Sequence, residues 1–338
     1  MNENPATQKR TRRALLIIIA LVLAIAASLA VLFQNQARTL LTLKKVDDYP
    51  LYVMRYYGDY GFSDFLQRGM RASARPGSYG QEREAVPACT CFAAPQRGGG
   101  MLLGRNFDWL NRPALVLFTR PPDGYASVSM VDVSYLGFMA SRAPSWRARR
   151  QLLEAPYWPF DGMNEAGLAV GMMAVPHARD SQDPQKVTIA SLHAIRLLLD
   201  YAGDVQEAIS LLQDYNLDFR GPPLHYLIAD ASGRSAVVEF VNGETIVLRN
   251  DRPWQVATNF VLSEQKPQGA TSDCWRYNRA YEALERAEGQ VSTQEAMALL
   301  QGVSQEITMW SAVYEMASGE MSVVVGRAYD RVHTFQLR

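Results

Sequence analysis

"PACTCFAAPQRGGGMLLGRNFDWL", residues 87–110, carries two of the chain's three cysteines, one residue apart, with Arg105 and Asp108 downstream. Its middle reads as strand, glycine turn, strand: an apolar run after Cys89, three glycines at 98–100, then a second apolar run. A hairpin returns the chain beside its start, so it would bring Arg105 and Asp108 back to Cys89. That juxtaposition has chemical meaning. A thiol is mostly protonated at neutral pH, and a neighbouring guanidinium favours the thiolate. An aspartate favours a protonated neighbour. Were Cys89 the first residue of a chain, its α-amine would be that neighbour and would also serve as a general base. From these residues alone, a structural cysteine beside a surface Arg/Asp pair stays open as the alternative.

Other chemistries find little in the sequence. His177, His193, His225 and His333 are too scattered to suggest a paired metal site, and a CxC without a second cluster is weak zinc evidence. No phosphate loop or dinucleotide fingerprint appears, so no cofactor and no metal is expected. Pairing of Cys89 with a distant histidine stays open. Cys89 and Cys91 are poorly placed to bridge each other, whereas a Cys91–Cys274 disulfide stays open.

Outward from the hairpin, the chain has 338 residues, 48% apolar and 20% charged, with 34 basic and 34 acidic side chains. That is globular composition with no overall field to attract nucleic acid. The N-terminus differs. Lys9, Arg10, Arg12 and Arg13 precede "ALLIIIALVLAIAASLAVLF", residues 14–33, in which Ser28 is the one polar residue. At 1.5 Å per residue this run is about 30 Å long as a helix, the thickness of a bilayer's hydrocarbon. We read 1–13 as a cytoplasmic basic segment and 14–33 as a transmembrane anchor with the rest of the chain outside the cytoplasm. A signal peptide cleaved near Ala26–Ala30, with secretion, is the alternative. Residues 34–88 form a stalk or propeptide: 34–50 reads as the stalk, the aromatic "YPLYVMRYYGDYGFSDFL" (49–66) as a segment able to fold onto the main domain, and "RASARPGSYGQEREAVP" (71–87) as an exposed linker ending at Ala88–Cys89. From 89 to 338 short apolar runs alternate with helical patterns such as "CWRYNRAYEALERAE" and "STQEAMALLQGV", where Ser292 and Thr293 compete as the cap. Strands, then helices, then strands, then helices imply α+β layers.

"CTCFAA…GRNFDW" resembles the start of the mature chain in the linear-amide hydrolases of the N-terminal-nucleophile group. These are the choloylglycine (bile-salt) hydrolases, penicillin V acylases, isopenicillin acyltransferases and acid-ceramidase relatives. "FDGMNEAGLAV" (160–170), "PLHYLIADASGRSAVVEF" (223–240), "VATNF" (256–260) and "CWRYNRAYEAL" (274–284) resemble further family motifs in the family's order. The resemblance implies a four-layer αββα sandwich and cleavage of the Ala88–Cys89 bond by the Cys89 thiol. It implies Cys89 as nucleophile, Arg105 against the thiolate, Asp108 on the freed amine, Asn259 as oxyanion donor and Arg276 in the charge network. The substrate would be a small N-acyl compound cut at a linear C–N amide through a thioester. An acyltransferase is the first alternative, and a catalytically silent anchored binding protein on the same fold is the second. Residues 1–88 would be a propeptide that stays bound or leaves. Bile-salt hydrolases carry an asparagine where register gives Ala174 here, and a longer insert between the positions of Asn259 and Arg276. Both departures argue against bile salts. Met172 and Met173 lie where soft side chains would line an acyl slot, with core packing expected for at least one of them because strand neighbours face opposite sides.

Overall fold

The computed structural model describes residues 5–69, 88–109, 113–138, 146–219 and 221–337. The linker at 71–87 therefore lies outside the described residues. Helix α1 (Pro5–Leu41) leads into strands β1 (Lys44–Asp47) and β2 (Leu51–Arg55) and the short α2 (Phe62–Arg68). Strands β3 (Thr90–Pro95) and β4 (Met101–Asp108) form the hairpin expected from the opening stretch, and Gly98, Gly99 and Gly100 all turn at positive φ. An L side chain rarely adopts that conformation, which is why this turn is spelled in glycine. Next come β5 (Ala114–Thr119), β6 (Ser127–Asp132), α3 (Trp146–Gln151), β7 (Asp161–Asn164) and β8 (Leu168–Ala174). The stretch "TIASLHAIRLLLDYAGDVQEAISLLQDY" (188–215), whose periodicity reads as a helical hairpin, forms β9 (Thr188–Ala190), α4 (Ser191–Tyr201) and α5 (Val205–Gln213), parted where Asp204 caps α5 by accepting from the Glu207 amide. Strands β10 (Asn216–Asp218), β11 (Leu224–Asp230), β12 (Ser235–Val241), β13 (Glu244–Arg249) and β14 (Gln255–Ala257) precede α6 (Leu262–Gln265), α7 (Trp275–Arg286) and α8 (Thr293–Gly302). Ser292, not Thr293, caps α8, in a reciprocal box with Glu295. Strands β15 (Thr308–Glu315), β16 (Glu320–Val325) and β17 (His333–Gln336) complete the chain.

Nine strands form one sheet in the order β1-β2-β5-β6-β7-β8-β11-β12-β13, and six form another in the order β14-β3-β4-β15-β16-β17. Helices α4 and α5 pack on the first sheet, α7 and α8 on the second, while β3 and β4 face β8 and β11 across the middle. The result is a helix–sheet–sheet–helix sandwich, as the resemblance implied. Every residue of β4, β5, β6, β8, β11 and β12 is buried, because each of these strands is covered on both faces.

Two findings concern the N-terminal part. Residues 44–50, read as stalk, and 51–55, in the aromatic stretch read as able to fold onto the main domain, supply β1 and β2, which extend the large sheet through a parallel β2–β5 ladder running from Leu51↔Ala114 to Arg55↔Phe118. The expected membrane anchor lies within α1, whose described large apolar side chains from Leu15 to Leu29, and Phe33, are exposed, from 45% at Ile19 to 74% at Phe33. Among the described residues, however, no helix is long and apolar enough to cross a membrane, so the transmembrane helix read from 14–33 gains no support from the structure.

Candidate active site

Cys89 sits immediately before β3 and is 2% exposed. The β3–β4 register sets Cys91 opposite Arg105 and Thr90 opposite Asn106. Strand alternation then turns Cys89, Cys91 and Arg105 toward the same side, where β8 approaches. Gly171 of β8 makes the room: a Cβ there would lie 2.8 Å from Cys91 Sγ and 3.5 Å from the Arg105 side chain.

Arg105 is fully buried and its guanidinium is held along its whole edge. Nη2 lies 3.9 Å from Cys89 Sγ, Nη1 donates to the Met172 carbonyl, and Nε pairs with the Asp161 carboxylate at 2.6 Å. Asp161 in turn accepts from Trp310 Nε1 at 3.0 Å and from the Tyr314 hydroxyl. Burial pushes the Cys89 thiol up from its ordinary value, and the Arg105 guanidinium pulls it back only in part. A thiol so held needs a base before its sulfur can act as a nucleophile.

Asp108 ends β4 on the other side of Cys89, and its backbone N–H hydrogen-bonds the sulfur. Its carboxylate accepts from Thr308 Oγ1 at 2.5 Å and Gln305 Nε2 at 2.8 Å. Burial pushes this carboxyl up, opposed by those two hydrogen bonds. Asn259 donates through Nδ2 to the Ala174 carbonyl at 2.7 Å and accepts at Oδ1 from Arg276 Nη2 at 3.2 Å. An amide nitrogen carries two hydrogens, so one remains for a second oxygen. Arg276, on α7, also donates through Nη1 to the Cys89 carbonyl and to Thr90 Oγ1. Ala174, flagged as a departure from the bile-salt pattern, is thus the carbonyl that orients Asn259.

Beside the sulfur opens an apolar cleft lined by Phe107, Trp109, Tyr135, Phe160, Met172 and Leu224, with Ala174 also at its wall. Met173 does not line it; one position along β8, it is fully buried on the opposite side.

The structure thus brings Cys89, Arg105, Asp108, Asn259 and Arg276 into one connected cluster. It adds Asp161, Gln305 and Thr308, which the sequence reading did not single out. Asp161 stands in the quoted "FDGMNEAGLAV" stretch, but its pairing with Arg105 crosses between sheets and leaves no local signal. Gln305 and Thr308 are ordinary residues of the α8–β15 connection, delivered by the β4–β15 pairing of Asp108 with Thr308. No histidine is among the described contacts of Cys89. His225 bonds Glu239 and the Thr258 carbonyl, His177 meets Glu264, and His333 meets Asp47. All three thiols are free, Cys91 and Cys274 included.

Known proteins resemble this chain in sequence and in fold. The family model described as acyl-coenzyme A:6-aminopenicillanic acid acyl-transferase matches residues 159–330, a stretch holding Asp161, Asn259, Arg276 and Gln305. A penicillin V acylase of Pectobacterium atrosepticum is 24% identical over 200 residues, 53% of this chain, and the chain spans about half of that relative, 51% of its length. Among solved structures, a mutant conjugated bile acid hydrolase from Clostridium perfringens superposes with a TM-score of 0.53 at 15% identity, covering 74% of this chain and 92% of the other. The penicillin V acylase from Agrobacterium tumefaciens gives 0.53 at 19% identity, covering 74% and 86%. At these identities the structural likeness is one of fold.

Proposed function

The chain belongs to the acyl-coenzyme A:6-aminopenicillanic acid acyl-transferase family of choloylglycine-type N-terminal-nucleophile enzymes, and from that premise we propose that it is a self-activated cysteine amidase. The Cys89 thiol first opens the Ala88–Cys89 bond, and the freed α-amine, near Asp108, then takes the sulfur's proton in each turnover. The sulfur adds to the acyl carbonyl of an N-acyl substrate, Asn259 donates its remaining N–H to the developing oxyanion, and Arg105 opposes the sulfur's charge. The amine leaves with a proton, giving a thioester on Cys89. Water then adds, the C–S bond breaks, and a carboxylic acid departs.

One observation carries this reading: Cys89 Sγ stands 3.9 Å from a buried guanidinium at the wall of an apolar cleft. Aromatic and aliphatic walls support an uncharged, apolar acyl group as the part held there. The test is intact-mass analysis of the purified chain, then a panel of N-acyl amides. A fragment beginning at Cys89 and amide cleavage are expected. Cys89→Ala should abolish both, whereas Cys91→Ala should leave the cut intact. Persistence of the cut in Cys89→Ala would remove the initiator.

The family's description favours one second reading, in which an amine replaces water at the thioester. Adding acceptor amines and looking for transferred acyl product separates the two. Location is a proposal as well. The basic residues ahead of 14–33, and the apolar side chains that α1 exposes, support contact with lipid and a catalytic part outside the cytoplasm. Protease added to intact cells should then digest residues 89–338, and full protection would contradict it.

A further inference from the structure

The carbonyl at the proposed cut already has a donor. Gln305 Nε2 lies 2.8 Å from the Ala88 carbonyl oxygen and 2.8 Å from Asp108 Oδ2, so the two hydrogens of one amide nitrogen serve both oxygens. The residue is fixed by a tight local turn. Its backbone N–H donates to Thr308 Oγ1 at 2.8 Å, the Thr308 N–H returns to the Gln305 carbonyl at 3.0 Å, and Thr308 Oγ1 grips Asp108. Asn259 meanwhile points its amide at Ala174. The two amides therefore serve two different backbone carbonyls, Gln305 that of Ala88 and Asn259 that of Ala174.

We propose that Gln305 is the catalytic oxyanion donor for cleavage of the Ala88–Cys89 bond, distinct from Asn259, which serves the substrate. The inference rests on Cys89 as the initiating nucleophile. In the first step the thiol gives up its proton and Sγ bonds to the Ala88 carbonyl carbon. The carbonyl electron pair moves to oxygen, where the Gln305 N–H receives it. Collapse breaks the bond from that carbon to the Cys89 nitrogen, which takes up the proton, leaving a thioester and a free amine. Water then adds to the thioester carbon, the C–S bond breaks, and a proton returns to sulfur. Residue 88 is left as a carboxylate and Cys89 as a terminus. Arg276 holds the carbonyl on the far side of Cys89, so the peptide unit is gripped on both flanks of the breaking bond.

The test follows the cut in full-length chain by intact mass over time. Gln305→Leu keeps the volume and removes the donor, and should slow cleavage roughly 100-fold or more, the cost of losing one oxyanion donor elsewhere. Gln305→Glu provides the second reading. Its introduced carboxyl cannot donate at pH 8 but can when protonated, so its rate relative to the native chain should recover at pH 5. A loss of packing alone would not follow pH in this way. Cleavage of Gln305→Leu within threefold of the native rate, or no relative recovery of Gln305→Glu at pH 5, would overturn the assignment. Cleavage of Cys89→Ala would instead overturn the reading beneath it, so the two failures are distinguishable.

Discussion

Arg105 is the residue on which the site turns, and Asp161 is what allows it to be there. A guanidinium with no exposure is tolerated only beside a counter-charge, here at 2.6 Å and itself held by Trp310 and Tyr314. Asp161→Asn keeps the shape and removes the charge. It should cost about 3–5 kcal/mol in urea unfolding, because an unpaired charge is left buried. Combining it with Arg105→Met should restore much of that stability while leaving the protein unable to cut itself. A double variant no more stable than Asp161→Asn would show that the pair is not coupled as described. The sequence made Arg105 legible, since a glycine turn between two apolar runs forces the chain back on itself. Asp161 was not, because the contact joins β4 to β7 across the sandwich and nothing in either strand's pattern reports the other.

At the scale of an element, α4 carries two titratable groups with opposite leanings, the buried Asp200 and the half-buried His193. Burial pushes Asp200 up to about 6 against the pull of Arg196, its partner at 3.4 Å, and pushes His193 down to about 4. Unfolded, the same groups would titrate near 3.8 and 6.5. Between pH 4 and 6 the folded chain binds more protons at Asp200 than the unfolded one, so this group makes stability fall as pH rises. At His193 the folded chain binds fewer, so that group makes stability rise with pH over the same window. The two slopes oppose each other. Asp200→Asn should therefore unmask a melting temperature that climbs from pH 4 to 6.5, and His193→Gln one that falls from pH 4 to 6. Flat profiles in both variants would contradict this account. Helix α4 was legible as a periodic run, and α7 began where its motif placed it. The partners of Asp200 were not legible: Tyr60 reaches its carboxylate at 2.6 Å from 140 residues upstream.

That reach belongs to the whole molecule. Beyond Tyr60, the N-terminal part is tied down by the β2–β5 ladder and by Asp47, which meets His333 at 3.0 Å and Arg331 at 3.3 Å near the C-terminus. The Tyr157 hydroxyl adds a bond to the Tyr60 carbonyl at 2.7 Å. Cutting after Ala88 severs none of these. The two fragments should elute together in gel filtration after self-cleavage and part only in denaturant; early separation in native buffer would contradict it. Composition marked residues 34–50 as stalk and the aromatic 49–66 as a dock, but the sheet pairing of β2 was not legible because it is parallel and non-local. Such a strand shows its partner nowhere in its own sequence, whereas the antiparallel hairpin of residues 90–108 announces itself by its turn.

Cys89 is nearly inaccessible even before the cut. If the cut proceeds as proposed, a chain end born at that depth is shielded from aminopeptidases and acetylating enzymes, while small molecules still reach it through the cleft. Such an enzyme would not be trimmed into silence from its working end, and tags for purification or imaging would have to go on the C-terminus or ahead of residue 88. Its activation would be a single irreversible event, dated by the folding of each molecule.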